Sequence, residues 1–174
     1  SPPGNKILMR TVNGLCEWIP EIFGIEVFHF PYHVEHGGIY LKDAAVMAGL
    51  GCIGRNNLLV TPDFGPRIRL RAMALSVPMP STGPIAFDPC RLCADICRKA
   101  CPQKAFEKGR YTAEVYGQAI LPAGDGFYAR PICNQQMQDN FDSARKETAE
   151  GFEKPVKIIK YCRNCEMSCP VGKI

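Results

Sequence analysis

The chain has 174 residues, 46% of them hydrophobic and 22% charged, with a formal net charge of +4. These are the proportions of a globular protein, enough for one domain or two small ones. No apolar run is long enough to span a bilayer and no basic-then-apolar signal segment opens the chain, so a cytoplasmic address without membrane contact is expected. The chain starts Ser-Pro-Pro-Gly and not on Met, the form expected of a processed chain or a fragment. The strong deviation is ten cysteines. Such a number serves either disulfides in a secreted protein or metal binding in a reducing compartment, and spacing decides between them.

In chain order, apolar residues at helical spacing predict a helix over Ile7 to Ile19, and Ile25 to Phe30 reads as a strand. Leu41 to Leu50 predicts a small-residue helix that stops at Gly49 and Gly51. A short strand, Leu58 to Thr61, runs into the turn Thr-Pro-Asp-Phe-Gly. Arg67-Ile-Arg-Leu-Arg-Ala-Met-Ala-Leu75 alternates at its start. That predicts a half-buried strand with Ile68 and Leu70 inward and Arg67, Arg69 and Arg71 on a solvated face, where a phosphate of a cofactor or tRNA is the alternative reading. Val77-Pro-Met-Pro-Ser-Thr-Gly-Pro84 reads as a linker between an α/β portion, residues 1–84, and a second portion, residues 85–174. A long insertion, from about 107 to 155, carries a helix predicted over Pro131 to Lys146 and a polar, solvated stretch over 142–154. His29, His33 and His36 are read as loop histidines, because Pro31 and Gly37–Gly38 oppose a helix there.

Eight of the ten cysteines lie from residue 90 onward. They form Cys90-x2-Cys93-x3-Cys97-x3-Cys101-Pro102, an isolated Cys133, and Cys162-x2-Cys165-x3-Cys169-Pro170. A cubane cluster needs four thiolates from several directions, and in two-cluster ferredoxins the Cys before Pro ligates the other cluster. Applied here, that rule assigns Cys90, Cys93, Cys97 and Cys169 to one [4Fe–4S] cluster. Cys101, Cys162 and Cys165 take three corners of a second, and Cys133 is the cysteine left to complete it. The spacing departs from the usual run by one residue between Cys93 and Cys97. The rival readings are disulfides or a zinc site of Cys90, Cys93, Cys162 and Cys165, which leaves four cysteines and both Cys-Pro units unexplained. Each cluster core with its thiolates carries about −2, so two bring the chain near neutrality and the net charge does not argue for nucleic-acid binding. Arg91, Arg98, Lys99, Lys104, Arg163 and Lys173 flank the cysteines; as positive charge they ease addition of an electron, and as single residues they read equally as surface basicity.

Gly49-Leu-Gly-Cys-Ile-Gly54 matches G-x-G-x-x-G, but a helix precedes it and a strand follows, the reverse of a dinucleotide-binding unit. Nicotinamide binding is rejected on that ground. The longer run Ala48-Gly-Leu-Gly-Cys-Ile-Gly-Arg-Asn-Asn-Leu-Leu-Val-Thr-Pro-Asp-Phe-Gly65, followed by two Cys-Pro motifs, resembles the epoxyqueuosine reductase and reductive dehalogenase superfamily over roughly residues 35–174. Phe64-Gly-Pro-Arg-Ile-Arg69 resembles the dehalogenase-like branch more closely.

The resemblance implies an α+β fold: a partial nitroreductase-like α/β portion (1–84), which in the superfamily carries base-off cobalamin, then a ferredoxin-like bis-[4Fe–4S] domain (85–174). It implies that Gly49, Gly51, Cys52, Gly54, Arg55, Asn56 and Asn57 face the corrin. Cys52 stands where the superfamily usually has a bulkier residue and reads also as a small buried hydrophobe. Counting back from the glycine run puts Glu35, in Tyr32-His-Val-Glu-His-Gly-Gly38, at the proton donor's position, with a solvated loop carboxylate as the plain alternative. The expected function is a relay of single electrons through two clusters to a reductive site acting on a small-molecule or tRNA substrate, supplied by a ferredoxin or flavodoxin. The alternatives are a non-catalytic ferredoxin-type carrier and a corrinoid-reducing activation factor for a partner enzyme.

Overall fold

The helical spacing that begins at Ile7 extends further both ways, into α1 (Pro3–Phe23), which accommodates Pro20 near its end. The computed structural model describes residues 3–107, 111–118, 120–149 and 152–172. After α1 come β1 (Val27–His29), a single 3-10 turn (Val34–His36), α2 (Leu41–Met47), β2 (Cys52–Ile53), β3 (Leu59–Val60) and β4 (Met73–Leu75). The second portion contributes α3 (Ile96–Lys99), α4 (Ala113–Tyr116), α5 (Arg130–Asp142), β5 (Lys146–Glu147), β6 (Val156–Lys157) and α6 (Asn164–Ser168).

The strands make three two-stranded antiparallel ribbons, β1 with β4, β2 with β3 and β5 with β6. Val27 lies opposite Leu75, Cys52 opposite Val60, and Lys146 opposite Lys157. The fold is therefore a mixture of helices and small sheets. One apolar cluster joins Ala45 and Val46 of α2 to Leu59, with Ile53, Ile68, Leu70 and Ile120 packed against it. A second is built from Phe106, Ala123 and Tyr128 and packs directly on Cys101, Cys133 and Cys165. The cysteine-bearing half thus has its core against its thiols.

Three expectations change. The alternating run from Arg67 is extended, but only Met73–Leu75 finds a strand partner, in β1. Ile68 and Leu70 do turn inward, and Arg69 stays exposed while pairing with Glu166 of α6; Arg67 and Arg71 are instead half-buried, Arg67 reaching the C-terminal loop and Arg71 donating to Asn5 Oδ1 at 2.7 Å. The helix predicted to run to Lys146 ends at Asp142, because Lys146 and Glu147 pair with Val156 and Lys157. The polar stretch 142–154 thus contributes one arm of a hairpin. The segment 77–84 has no regular structure and lies against the glycine run, where Thr82 Oγ1 donates to the Ala48 carbonyl at 2.7 Å.

β3 is the strut of the first portion, with Val60 only 1% exposed. Val60→Ala is expected to lower stability by about 2 kcal/mol through lost burial and the cavity left behind. Denaturant unfolding monitored by circular dichroism checks this, with an unchanged m-value expected.

Candidate functional site

Asp88 and Pro89 lead into the first cysteines, and the Cys90 N–H donates to Asp88 Oδ1 at 3.1 Å. The Cys93 N–H donates to the Cys90 carbonyl at 3.2 Å, closing the loop between them. The extra residue in the Cys93–Cys97 spacing is absorbed at Asp95, which takes a left-handed conformation with φ 57°. Asp95 is held there by Arg55, whose Nη1 donates to Oδ1 at 2.8 Å. Cys97 then falls on α3, which packs against α6, the helix that carries Cys165 and exits into Cys169-Pro170. Cys90, Cys93, Cys97 and Cys169 line one cavity of about 350 Å³ together with Arg55 and Asn56.

Electrostatics report the same grouping. Burial, then the neighbouring Cys169 and Cys90, pushes the Cys97 thiol up to about 11. Burial also raises Cys90, with Asp88, Cys169 and Cys93 adding to it. In the other set, burial and then Cys133, Cys162 and Cys101 push Cys165 up to about 12. Buried thiols this close cannot ionise together without positive charge among them, and a bound cationic centre removes that penalty. The donor chemistry of both sets suits a metal centre. Among the described residues no three His, Cys, Asp or Glu side chains converge on one ion-sized point.

The second set is organised around α5. Cys133 sits in its first turns, and Asn140 further along accepts from the Cys162 N–H at 2.9 Å. The Ala105 N–H donates to Cys101 Sγ at 3.4 Å. Tyr128 is 8% exposed and hydrogen-bonded to Cys133, and burial followed by that bond drives its phenol pKa up. Beside Tyr128 lies a second cavity of about 270 Å³, bounded by Lys42, Asn57, Tyr111, Tyr116 and Arg130 among others. Lys42 Nζ donates to the Asn57 carbonyl at 2.7 Å, and burial lowers its pKa.

The glycine run ties these parts together. A Cβ on Gly49 would meet the Gly83 carbonyl, one on Gly51 the Val60 carbonyl, and one on Gly54 the Val60 side chain with Cys90 Sγ just beyond. The close approaches are thus to the protein's own chain. Cys52 is half-buried beside Cys90 and Cys169, and burial pushes it up to about 11. Asn56 is 4% exposed and reaches the Cys165 carbonyl with Nδ2 at 3.4 Å. Asn57, at φ 58°, accepts the Ala123 N–H on Oδ1 at 2.9 Å. The Arg55 carbonyl accepts from Arg98 Nε at 2.9 Å, and Arg98 also pairs with Asp125 at 2.6 Å.

Glu35 stands apart, on the exposed 3-10 turn, its carboxylate 3.7 Å from His33 Nδ1. His33 and His36 stack edge to face there, and His29 is on β1. Of the flanking basic residues, Arg98, Arg163 and Lys104 are paired with Asp125, Glu166 and Glu107, while Lys173 lies outside the described residues. Sequence reasoning missed Asp95, Asp125 and Glu166. Only the extra residue between Cys93 and Cys97 pointed toward Asp95. Asn57→Ala should cost roughly 2 kcal/mol, since it strains a left-handed backbone and orphans the buried Ala123 N–H. Asn57→Gly keeps the backbone relaxed and should cost about half as much; chemical denaturation of the two variants checks the split.

No family model matches the chain. Among curated proteins it is 26% identical over 173 residues to an epoxyqueuosine reductase of Lactococcus garvieae, covering 97% of the chain and 42% of that protein. It is 42% identical over 138 residues to the Listeria monocytogenes epoxyqueuosine reductase, covering 76% of the chain and 30% of that protein. To the tetrachloroethene reductive dehalogenase of Sulfurospirillum multivorans it is 38% identical over 135 residues, covering 74% and 23%. Among solved structures, an epoxyqueuosine reductase with an epoxyqueuosine-modified tRNA stem loop aligns with TM-score 0.62 at 18% identity, over 96% of the chain and 38% of that chain. The Bacillus subtilis epoxyqueuosine reductase aligns with TM-score 0.62 at 19% identity, over 97% and 38%. The chain spans well under half the length of the relatives it matches, and on these similarities it belongs to the epoxyqueuosine reductase and reductive dehalogenase superfamily.

Proposed function

We propose that the chain is the electron-relaying part of a reductase, a ferredoxin-like unit over 85–174 joined to a cofactor-side portion over 1–84. In this reading Cys90, Cys93, Cys97 and Cys169 hold one [4Fe–4S] cluster, and Cys101, Cys133, Cys162 and Cys165 hold the other. The observation that carries it is the grouping of the thiols: four around a cavity of about 350 Å³, and three of the other four packed on one aromatic core. A zinc ion with bonds near 2.3 Å needs its sulfurs about 3.8 Å apart around a single point. A four-iron cube needs them spread around a volume, and the cavity lined by Cys90, Cys93, Cys97 and Cys169 supports that reading for the first set. When bound, the clusters supply one-electron transfer.

The sets adjoin through α3 and α6, since Cys97 contributes to the electrostatics of Cys165. The second set in turn reaches the cavity beside Lys42 through Tyr128. That cavity is our candidate for the reductive site, with Lys42 and Arg130 offering positive charge to an anionic group. Resemblance assigns cobalamin to this portion, along Gly49, Gly51, Cys52, Gly54, Arg55, Asn56 and Asn57. The residues present do not enclose it: neither cavity has the volume of a corrin, and the glycines are filled by the protein's own chain. Glu35 is the proposed proton donor, with a ferredoxin or flavodoxin as electron source and a small molecule or tRNA as substrate.

Anaerobic reconstitution should give a brown protein, bleached by dithionite, with about eight irons per chain. Cys133→Ser should leave about four irons, while Cys52→Ser should leave all of them. A colourless protein, or one zinc in place of iron, overturns the reading. Addition of cob(II)alamin separates the roles further: a base-off spectrum supports a corrinoid reductase, and an unchanged spectrum favours a ferredoxin-type carrier. Glu35→Gln should abolish proton-coupled turnover without altering iron content, and surviving activity removes Glu35 from the mechanism.

A further inference from the structure

Arg67 is remote in sequence from every clustered cysteine, yet its guanidinium lies in the C-terminal loop. Nη1 donates to the Cys169 carbonyl at 3.1 Å and to the Glu166 carbonyl at 3.4 Å, and Nη2 donates to the Val171 carbonyl. The Glu166 carbonyl belongs to the last turn of α6, and the other two lie just past its end, where Cys169-Pro170-Val171 turns away. A planar fork of donors suits three such acceptors, and its charge complements the carbonyl end of the helix. The turn before Arg67 interlocks with the same loop. Gly65, at φ 57°, lies so close to the Val171 carbonyl that any side chain would collide with it, and Gly172 presses on Gly65 and Phe64 in return. Cys169 itself is 7% exposed.

We propose that Arg67 is a positioning residue for Cys169: it fixes the turn that delivers this one thiol, from the far end of the chain, to Cys90, Cys93 and Cys97. The other three members come from a single stretch of chain, whose loop is steadied separately by Arg55 on Asp95. Cys169 arrives through a turn whose backbone carbonyls converge on one side chain. The proposal rests on the two-cluster reading for its consequence, but the clamp itself is a property of the protein without metal.

The test therefore has two arms. In the full chain stripped of iron and kept reduced, site-resolved alkylation followed by mass spectrometry measures each cysteine. Arg67→Ala should raise the Cys169 rate about tenfold, the size expected when a charge-assisted anchor of a local segment is lost. Cys101, Cys133 and Cys162 should keep their rates, and Arg67→Lys, which retains charge but not the fork, should fall between. In the reconstituted chain, Arg67→Ala should drop from about eight irons to about four. Unchanged Cys169 reactivity overturns the proposal. So does a rise of all eight cysteines in both variants, which would make Arg67 a prop of the whole fold. Wild-type protein that binds no iron, but whose Cys169 still responds to Arg67, upholds the clamp and refutes the cluster reading instead.

Discussion

Crowding thiols into small buried spaces is unfavourable for the protein alone. Each ionisation is opposed by desolvation and by the next thiolate, which is why Cys97 and Cys165 are pushed up to about 11 and about 12. A chain that gathers thiols in this way must hold them together by other contacts. Most of the tertiary structure answers that need. The second apolar cluster packs on three of the thiols, α5 presents Asn140 to the backbone of Cys162, and α3 and α6 brace each other between the two sets.

The glycine run has a corresponding role on the other side. Its side chains and carbonyls engage both cysteine groups: Arg55 steadies Asp95 in the first, Asn56 reaches Cys165, and Asn57 holds the Ala123 N–H in the core beneath the second. These bonds cross the Pro-rich segment, so the two portions share an interface built from a few hydrogen-bonded residues. This interface gives a physical reason for small residues at Gly51 and Gly54. The segment must lie flat between β3 and Cys90 to bring Arg55, Asn56 and Asn57 to their partners.

Much of this was legible in sequence because cysteine spacing and Cys-Pro units are local. Helix α1 followed from apolar periodicity and α2 from a small-residue run stopped by Gly49 and Gly51, and Ile68 and Leu70 were read inward correctly from alternation. The arginines interleaved with them were only partly legible, because alternation says which residues share a face, not what meets that face. Arg69 is exposed as expected, but Arg67 reaches a loop about a hundred residues later and Arg71 reaches α1, partners beyond any window of periodicity. The early end of α5 had a similar origin: pairing of Lys146 with Lys157 is a tertiary choice between residues of low strand propensity. Asp95 was half legible, since an extra residue between cysteines requires some accommodation. The partner that makes a left-handed Asp tolerable there was not.

Glu166 shows how the same contacts bear on electron transfer. It lies between Cys165 and Cys169, one from each set, and is 5% exposed. Burial alone would raise its carboxyl pKa, but hydrogen bonds from Arg163 and then Arg69 outweigh it and hold the group below its usual value. It therefore stays ionised at neutral pH, a negative charge between the two groups of thiols. Alone it would oppose reduction. Arg163 at 2.6 Å and Arg69 at 3.2 Å neutralise it, and Arg67 adds a further positive charge at the carbonyl end of the same helix. The local sum is two net positive charges around α6, partly screened by solvent because the Arg69 and Arg163 side chains are about half exposed. Two of those three arginines come from the first portion, so its docking against α6 does more than support the thiols. It brings positive charge to the buried Glu166 carboxylate between the two groups of thiols.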